Sequence, residues 1–296
     1  MVWLNRINEL FTQRGRGHMQ IPPIAYFLVS ASFHYLGPAF AVLLFARVEV
    51  LGVAWLRIAS AAAIFALWRH PWQIFHKSTW EQRRLLIALG TVLAVMNASF
   101  YLAISRLPLG TVGAMEFVGQ ILLVALGIRS QRNLLALGFA IAGGGLLTKV
   151  QLGGEFLGLV FAFVNCIFFM LYIVLGHRIA QDGGSAGIDR LAASMLVAFL
   201  IISPLGVREA LPAFTSVQLL LAGIGVGVCS SVIPYITDQL AMARLPRASF
   251  ALMLSLLPAM AVVIGAVILG QVPSGIEIVG ILLIMAGVAI HQPANP

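Results

Sequence analysis

Residues 106–127 read RLPLGTVGAMEFVGQILLVALG, an apolar segment long enough to cross a bilayer, with one carboxylate, Glu116, near its middle. A charge at that depth costs roughly 2.5 kcal/mol or more on insertion scales. The opening of the segment also recurs, because LAISRLP at 102–108 returns as LAMARLP at 240–246. Glu116 is therefore expected to have a specific role, and the recurring stretch indicates an internal repeat.

The composition around this segment is that of a membrane protein. The chain has 296 residues, of which 60% are hydrophobic and only 9% are charged, whereas a soluble domain carries about 25% charged residues. The net charge of +8 comes from scattered single basic residues, which argues against nucleic acid as a partner. Cys166 and Cys229 lie in apolar runs, the histidines show no ligand spacing, and no phosphate-binding loop occurs, so we predict no metal or cofactor.

Apolar runs of about 20 residues predict ten transmembrane helices. The intervals are 22–45, 50–68, 85–105, 109–127, 133–149, 155–176, 189–207, 216–242, 248–270 and 274–291. With the N-terminus in the cytoplasm, thirteen of the 18 Lys and Arg residues fall on the inside and four on the outside. We therefore expect both termini in the cytoplasm, with residues 1–21 forming a basic cytoplasmic leader.

The repeat predicts two halves of opposite orientation. At an offset of 138, Leu102, Arg106 and Pro108 fall on Leu240, Arg244 and Pro246. Five predicted spans separate the copies, and because five is an odd number the second copy is inverted. The expected fold is all-α, with one five-helix repeat over 22–149 and another over 150–296 around a central cavity. Inverted repeats of this kind are typical of alternating-access transporters, whose substrates bind near the midplane.

Glu116 is the leading candidate for a substrate or proton site. Gly113 and Gln120 share its helical face. The alternative is a protonated carboxyl that only donates a hydrogen bond to a neighbouring helix.

Other polar residues inside the spans form smaller sets. Asn97 and Tyr101 share one face of the third span, and Asn165 and Tyr172 share one face of the sixth. The eighth span carries Ser231, Tyr235, Asp238 and Gln239 on one stripe around Pro234. Each set is either interhelical hydrogen bonding or a ligand contact. Asp238 has the further alternatives of being solvated near the cytoplasmic end or paired with Arg244.

Two basic side chains complete the candidates. Arg57, in WLRIASAA, either snorkels outward or counters a carboxylate. His34, in SASFHYLGP, is a proton relay or a structural histidine.

Several motifs carry a family resemblance over nearly the whole chain. They are GVAWLRIA (52–59), RHPWQ (69–73), EQR (81–83), MNASFYLAISRLPLGTVGAMEF (96–117), LYIVLGHRIA (171–180) and SSVIPYITDQLAMARLP (230–246). The chain resembles the EamA-type exporters of the drug/metabolite transporter superfamily, and among them the bacterial threonine and homoserine exporters. The resemblance implies ten spans, two EamA halves and a cavity from which small metabolites leave the cytoplasm. Asn97, Tyr101, Glu116, Phe117 and Arg57 occupy motif positions.

Two positions depart from the pattern that the resemblance implies. Leu257 stands before Pro258 where such exporters commonly have a glutamate, and Gln271 stands where they commonly have the glutamate of LGE. Glu116 is then expected to be the only carboxylate near mid-membrane, and both departures bear on the substrate.

The sequence therefore predicts a multi-pass protein of the bacterial inner membrane that exports a small metabolite by alternating access. The expected substrate is an amino acid such as threonine or homoserine, and proton coupling at Glu116 stays open. The ammonium group of the substrate would contact Glu116 and the ring faces of Tyr101 and Tyr172. The carboxylate of the substrate would bind Arg57, Asn97 or a helix N-terminus. Export of drugs or lipophilic amines is the alternative within the class; a membrane enzyme or a scaffold is the alternative outside it. Lipid is the expected surrounding, and homo-oligomerisation is left open.

Overall fold

The computed structural model describes residues 23–116, 118, 130–151, 155–180, 183–244 and 257–290. Within these ranges every regular element is helical, as the sequence predicts. The proposed leader at 1–21 lies outside the described residues, and so do Phe117 and Gln120.

Twelve helical segments are labelled in chain order. They are α1 (Pro23–Leu44), α2 (Val50–Arg69), α3 (Pro71–Lys77), α4 (Trp80–Ile104), α5 (109–116), α6 (Gln131–Gln151), α7 (Phe156–Ala180), α8 (Gly184–Gly206), α9 (Val217–Gly227), α10 (Ile233–Met242), α11 (Leu257–Leu269) and α12 (Gly275–Ile290). A 3₁₀ turn spans Leu211–Thr215, and a π-helical turn at Val228–Val232 joins α9 to α10.

Described helix occupies at least part of each of the ten predicted intervals. Among the described residues, five helices are long and apolar enough to cross a membrane: Val50–Arg69, Trp80–Ile104, Phe156–Ala180, Ser185–Gly206 and the composite Val217–Met242.

Two local features differ from the predicted boundaries. Helix α4 begins at Trp80, five residues earlier than expected, because Thr79 and Gln82 form a capping box that satisfies the first amide groups. The short helix α3 was not predicted. It starts where His70 adopts a left-handed conformation with φ of 49° and Pro71 opens a new helix.

The helices pack in two matching sets. Helix α4 lies against α7 and α8, while the α9–α10 unit lies against α1 and α2. Helices α6 and α12 form another close pair, which joins the ends of the two predicted halves, and α2 also packs against α8.

Arg106 and Arg244 make the same pair of contacts in the two sets. Arg106 donates to the carbonyl of Leu102, and its guanidinium lies 5.4 Å from the ring centroid of Phe161 on α7. Arg244 donates to the carbonyl of Leu240, and its guanidinium lies 4.9 Å from the ring centroid of Tyr26 on α1. Each arginine therefore closes the end of one long helix and caps an aromatic ring on the helix beside it.

The π-helical turn follows from the position of Pro234. Proline has no amide hydrogen, so it cannot bond the carbonyl four residues earlier, which belongs to Ser230. The helix continues by a longer bond, from the amide of Ile233 to the carbonyl of Val228, and the Ser230 carbonyl accepts from Arg57 instead. Pro234 thus does not end the helix but releases one carbonyl into the protein centre.

Helices α6 and α12 approach so closely that only glycine fits at one point of contact. A Cβ atom at Gly143 would lie 2.5 Å from the carbonyl oxygen of Gly280, whereas a Cβ atom at Gly138 would meet nothing within 4 Å. We expect Gly143→Ala to lower the free energy of unfolding by about 1–3 kcal/mol, because the backbones must separate. Gly138→Ala, on the same helix, should be neutral or slightly stabilising. Thermal unfolding of the two purified variants tests this, and equal stabilities would contradict the described packing.

Candidate functional site

A small cavity lies where the two sets of helices meet. Its lining combines polar and aromatic side chains from α1, α2, α4, α5, α7 and α10: His34, Arg57, Met96, Asn97, Phe100, Glu116, Asn165, Phe169 and Tyr235. Its free volume, about 10 Å³, holds roughly one water molecule. The structure therefore brings six of the polar candidates to one place: His34, Arg57, Asn97, Glu116, Asn165 and Tyr235.

Glu116 is buried, with 2% of its surface exposed, and both carboxylate oxygens accept hydrogen bonds. Tyr35 on α1 donates to Oε2 at 2.6 Å, and Asn165 on α7 donates to Oε1 at 2.9 Å. The Cys166 thiol lies 3.5 Å from the backbone oxygen of Glu116. The acid is thus held from two sides by neutral donors and faces the cavity between them.

Arg57 neither snorkels outward nor pairs with an acid. It is 3% exposed, and it donates to Ser231 Oγ at 2.8 Å and to the Ser230 carbonyl at 2.7 Å. Its guanidinium also lies 5.4 Å from the ring centroid of Tyr101. Among the described residues no carboxylate oxygen comes within 4 Å of it. Arg57 is therefore a buried cation that does not snorkel outward, and it faces the same cavity as the Glu116 carboxylate without a close ion pair in the described residues, so the alternative that it counters a carboxylate stays a prediction.

Asn97 and Tyr235 hydrogen-bond each other across the cavity wall. The Asn97 amide nitrogen lies 3.2 Å from the Tyr235 hydroxyl, which is also 3.3 Å from Arg57 Nη2. The two residues are 138 positions apart, the offset at which the Arg-Leu-Pro turns repeat. Two positions at the offset predicted for the repeat are thus in contact.

Asp238 differs most from its prediction. It is 6% exposed rather than solvated, and it accepts hydrogen bonds from Ser30 on α1 and from Tyr172 on α7, the latter at 3.1 Å. The guanidinium of Arg244 is over the Tyr26 ring instead. The solvated and Arg244-paired alternatives are wrong, and Glu116 is not the only buried carboxylate near the centre.

The remaining candidates lie around these groups. The His34 ring is 5.1 Å from that of Tyr35 and 5.9 Å from that of Phe169. The Tyr172 ring is 5.4 Å from that of Tyr235, which places Tyr172 behind the cavity wall rather than in it.

Sequence reasoning missed Tyr35 and Ser30, the two residues of α1 that bind the acids. The repeat contained a signal for Tyr35, because Tyr172 follows it by 137 residues, one short of the repeat offset. Ser30 has no comparable signal.

The two departures from the family pattern lie apart from the cavity. Leu257 is buried in the hydrophobic core. Gln271 accepts a hydrogen bond from the amide of Leu109 and lines a separate cavity of about 160 Å³ with Glu277. Glu277 caps α12 through both the amide and the hydroxyl of Ser274, so this carboxylate stabilises a helix start.

The Tyr235 hydroxyl connects Asn97 with Arg57, so its removal should destabilise the site. We expect Tyr235→Phe to lower the free energy of unfolding by about 1–3 kcal/mol, because two buried groups lose a hydrogen-bonding partner. Tyr26→Phe is the matched control, since it keeps its ring beneath Arg244 and lies outside the cavity. Denaturation of both purified variants provides the measurement, and a Tyr235→Phe protein as stable as the control would contradict this hydrogen-bond network.

Comparisons with known proteins agree with this architecture. The threonine/homoserine exporter RhtA of Salmonella typhimurium strain LT2 is 32% identical over 272 residues, which cover 89% of each chain. RhtA of Escherichia coli strain K12 is 32% identical over 270 residues with the same coverage. A solved structure titled "Crystal structure of protein" shares the fold, with a TM-score of 0.56 at 17% identity over 90% of this chain and 96% of that one.

The model of the EamA-like transporter family matches residues 156–291. That family and the RhtA relatives are transporters, which removes the membrane-enzyme alternative. The chain belongs to the EamA-like transporter family and is a multi-pass membrane transporter.

Proposed function

We propose that the protein is a secondary transporter that exports a small amino acid, such as threonine or homoserine, across the bacterial inner membrane by alternating access. One observation carries the proposal. A buried carboxylate, Glu116, and a buried guanidinium, Arg57, line the same cavity without forming an ion pair within the described residues. Separate charges of opposite sign suit a zwitterion, whose two charged ends each need a partner.

The recognition of an amino acid then follows from the donors and acceptors present. The ammonium binds Glu116, displacing Tyr35 or Asn165, and the carboxylate binds Arg57 and the amide of Asn97. The ring of Tyr101 supports the guanidinium from behind. The choice of threonine or homoserine rests on the names of relatives that are 32% identical.

Three features of the structure support the inverted repeat behind this mechanism. Arg106 and Arg244 make matching contacts, and the helix pairs around α4 match those around the α9–α10 unit. Asn97 and Tyr235 are in contact at the repeat offset. We accordingly propose ten spans, halves at 22–149 and 150–296, and both termini in the cytoplasm.

The size of the cavity bears on the transport cycle. Space for one water molecule is far too small for an amino acid, so the surrounding helices must separate before substrate enters. We assign the structure to an occluded form, from which α1 and α7 part on one side of the membrane or the other.

Export of lipophilic amines is the less favoured alternative. A ligand with an ammonium but no acid group would satisfy Glu116 and leave the Arg57 guanidinium buried without an anionic partner. The cavity therefore favours a substrate that carries both charges.

Replacement of Glu116 tests the proposed site. Glu116→Gln keeps the size of the side chain and removes its ionisation, so counterflow of labelled threonine in proteoliposomes should fall at least tenfold, which corresponds to about 1.4 kcal/mol. Insertion should survive, because a neutral amide is cheaper than a carboxylate in the membrane. The measurement is counterflow against pH from 6 to 8 at matched protein content.

Glu277→Gln is the control, because it makes the same chemical change at a buried carboxylate outside the central cavity and a glutamine can keep the helix cap. It should transport like the wild type. If the Glu116→Gln curve overlapped those of the control and the wild type, Glu116 would be only an interhelical hydrogen-bonding group.

Accessibility of the two Arg-Leu-Pro turns tests the topology. Arg106→Cys and Arg244→Cys, in a background with Cys166 and Cys229 replaced by alanine, should react with an impermeant thiol reagent from opposite sides of the membrane. Arg106→Cys should be labelled in intact cells and Arg244→Cys only in inverted vesicles. Labelling of both from one side would contradict the inverted repeat.

A further inference from the structure

We propose that Asp238 carries the proton exchanged against the substrate, whereas Glu116 binds the substrate ammonium. The inference rests on the proposed function and divides its two tasks between two buried carboxylates. It identifies the coupling ion as a proton and locates its binding site at Asp238, Ser30 and Tyr172.

The partners of Asp238 tolerate both the charged and the neutral carboxyl. Ser30 and Tyr172 bind it through hydroxyl groups, and a hydroxyl both donates and accepts. Ser30 also has a second acceptor, the Pro234 carbonyl at 3.5 Å. When Asp238 gains a proton, Ser30 can turn its own hydrogen to that carbonyl and accept from the carboxyl group. The site therefore takes up and releases a proton without leaving Ser30 unpaired.

Glu116 has this freedom at only one of its two oxygens. Its Oε2 atom accepts from the Tyr35 hydroxyl, which can also accept, whereas its Oε1 atom is held by the side-chain amide nitrogen of Asn165, which only donates. Oε1 therefore stays an acceptor, as the binding of an ammonium requires, whereas both oxygens of Asp238 meet hydroxyl groups. The hydrogen-bonding partners thus favour Asp238 for proton exchange and Glu116 for cation binding.

The two acids also occupy different levels of the protein. Asp238 is not among the residues that line the central cavity, and Tyr235, one turn earlier on α10, forms the wall between them. Their partners are five residues apart on α1 and seven apart on α7, which corresponds to roughly 8 to 10 Å along each helix. In the proposed orientation Asp238 lies on the cytoplasmic side of Glu116, where a proton carried inward is released.

The ionisable groups around Asp238 do not neutralise it. Those nearest are Tyr172 on α7 and Tyr235 on its own helix, with Arg57 on α2 beyond Tyr235 and His34 on α1 at the cavity. On α7 His177 contacts the Ile173 carbonyl, and on α8 Asp189 pairs with Arg69 and Arg190 contacts the Ile179 carbonyl. Among the described residues no cationic side chain comes within 4 Å of Asp238. Arg57, Glu116 and Asp238 together leave one buried negative charge in excess, which a single proton cancels.

Protonation of Asp238 then alters the affinity for the substrate. Ionised Asp238 adds to the negative potential at Glu116, and a charge on the order of 10 Å away in a partly buried site strengthens ammonium binding on the order of tenfold. Adding the proton removes that contribution. Competition of this kind, without a shared binding atom, is sufficient for exchange of a proton against an amino acid.

Two assays on one variant test the assignment. Asp238→Asn keeps the shape and the hydrogen bonds, because the amide can accept from one hydroxyl and donate to the other. In proteoliposomes we expect the threonine accumulation driven by a pH gradient to be at least tenfold lower for Asp238→Asn than for the wild type. The variant should keep counterflow at saturating threonine, with a half-saturation concentration that is raised and no longer depends on pH. In the wild type that concentration should rise on the order of tenfold from pH 8 to pH 6.

The outcomes separate this inference from the proposed function. If Asp238→Asn keeps gradient-driven accumulation, the Asp238 carboxyl has only a structural role, and the inference is overturned. If Asp238→Asn loses both gradient-driven accumulation and counterflow while eluting and melting like the wild type, Asp238 belongs to the substrate-binding site. That result also overturns the inference. Absence of threonine counterflow in the wild type is a failure of the proposed substrate instead.

A second variant and a substrate-free measurement cover the remaining cases. Tyr172→Phe removes one donor to the charged carboxylate, so the pH midpoint of gradient-driven transport should move to higher pH, which loss of packing alone would not cause. Without threonine, infrared spectra of the wild type between pH 5 and 9 should show a protonated-carboxyl band that Asp238→Asn lacks. An unmoved midpoint, or a band that persists in Asp238→Asn, would refute the proton site.

Discussion

The burial of Arg57 without an ion pair is the constraint on which the centre of this protein depends. A guanidinium removed from water is costly, and here it is supported by a carbonyl, a serine hydroxyl, a tyrosine hydroxyl and two aromatic rings. The carbonyl is available only because Pro234 lacks an amide hydrogen. Two glycines allow close packing around the turn, where Gly37 of α1 lies against Ser230 and Gly227 of α9 lies against Ser60 of α2. One proline thus releases a carbonyl for the cation, and two glycines allow the tight packing beside it.

The two carboxylates add a second level of organisation, because each is shared between the same two helices. Glu116 is bound by Tyr35 of α1 and Asn165 of α7, and Asp238 by Ser30 of α1 and Tyr172 of α7. These helices are equivalent members of the proposed repeats. Any ligand that displaces a neutral donor from either acid therefore loosens a connection between α1 and α7. Occupancy of the site and separation of the helices are coupled through hydrogen bonds to the carboxylates, each contributing about 1.5–3 kcal/mol, which a ligand that bonds the same carboxylate can replace during a cycle.

The sequence predicted the helical intervals and most of the cavity because both depend on local patterns. Long apolar runs require helices in a membrane, and Glu116, Arg57, Asn97, His34 and Tyr235 are polar residues that such runs rarely contain. Their partners were harder to predict. Tyr35 and Ser30 look like ordinary membrane residues until the rotation of α1 aims them at acids more than eighty positions away. Closeness in sequence made pairing with Arg244 one of the alternatives for Asp238, whereas side chains six apart on a helix point in different directions. Relative rotation of packed helices is set by the whole bundle, and no single segment specifies it.

None of the three central charged residues has a charged counterpart in the other copy of the proposed repeat, although Arg57 and Glu116 lie in the first half and Asp238 in the second. At an offset of 138, Arg57 corresponds to Met195, Glu116 to Leu254, and Asp238 to Phe100. In an inverted repeat, exchanging the conformations of the two halves converts an inward-open form into an outward-open form of similar energy. Alternating access requires two such forms. If Arg57, Glu116 and Asp238 were duplicated as well, the protein would contain two sets of binding groups instead of one site shared by both conformations. With one cation and two acids at the centre and no duplicates of them, both conformations share one site, and the ligand and the proton decide which conformation is favoured.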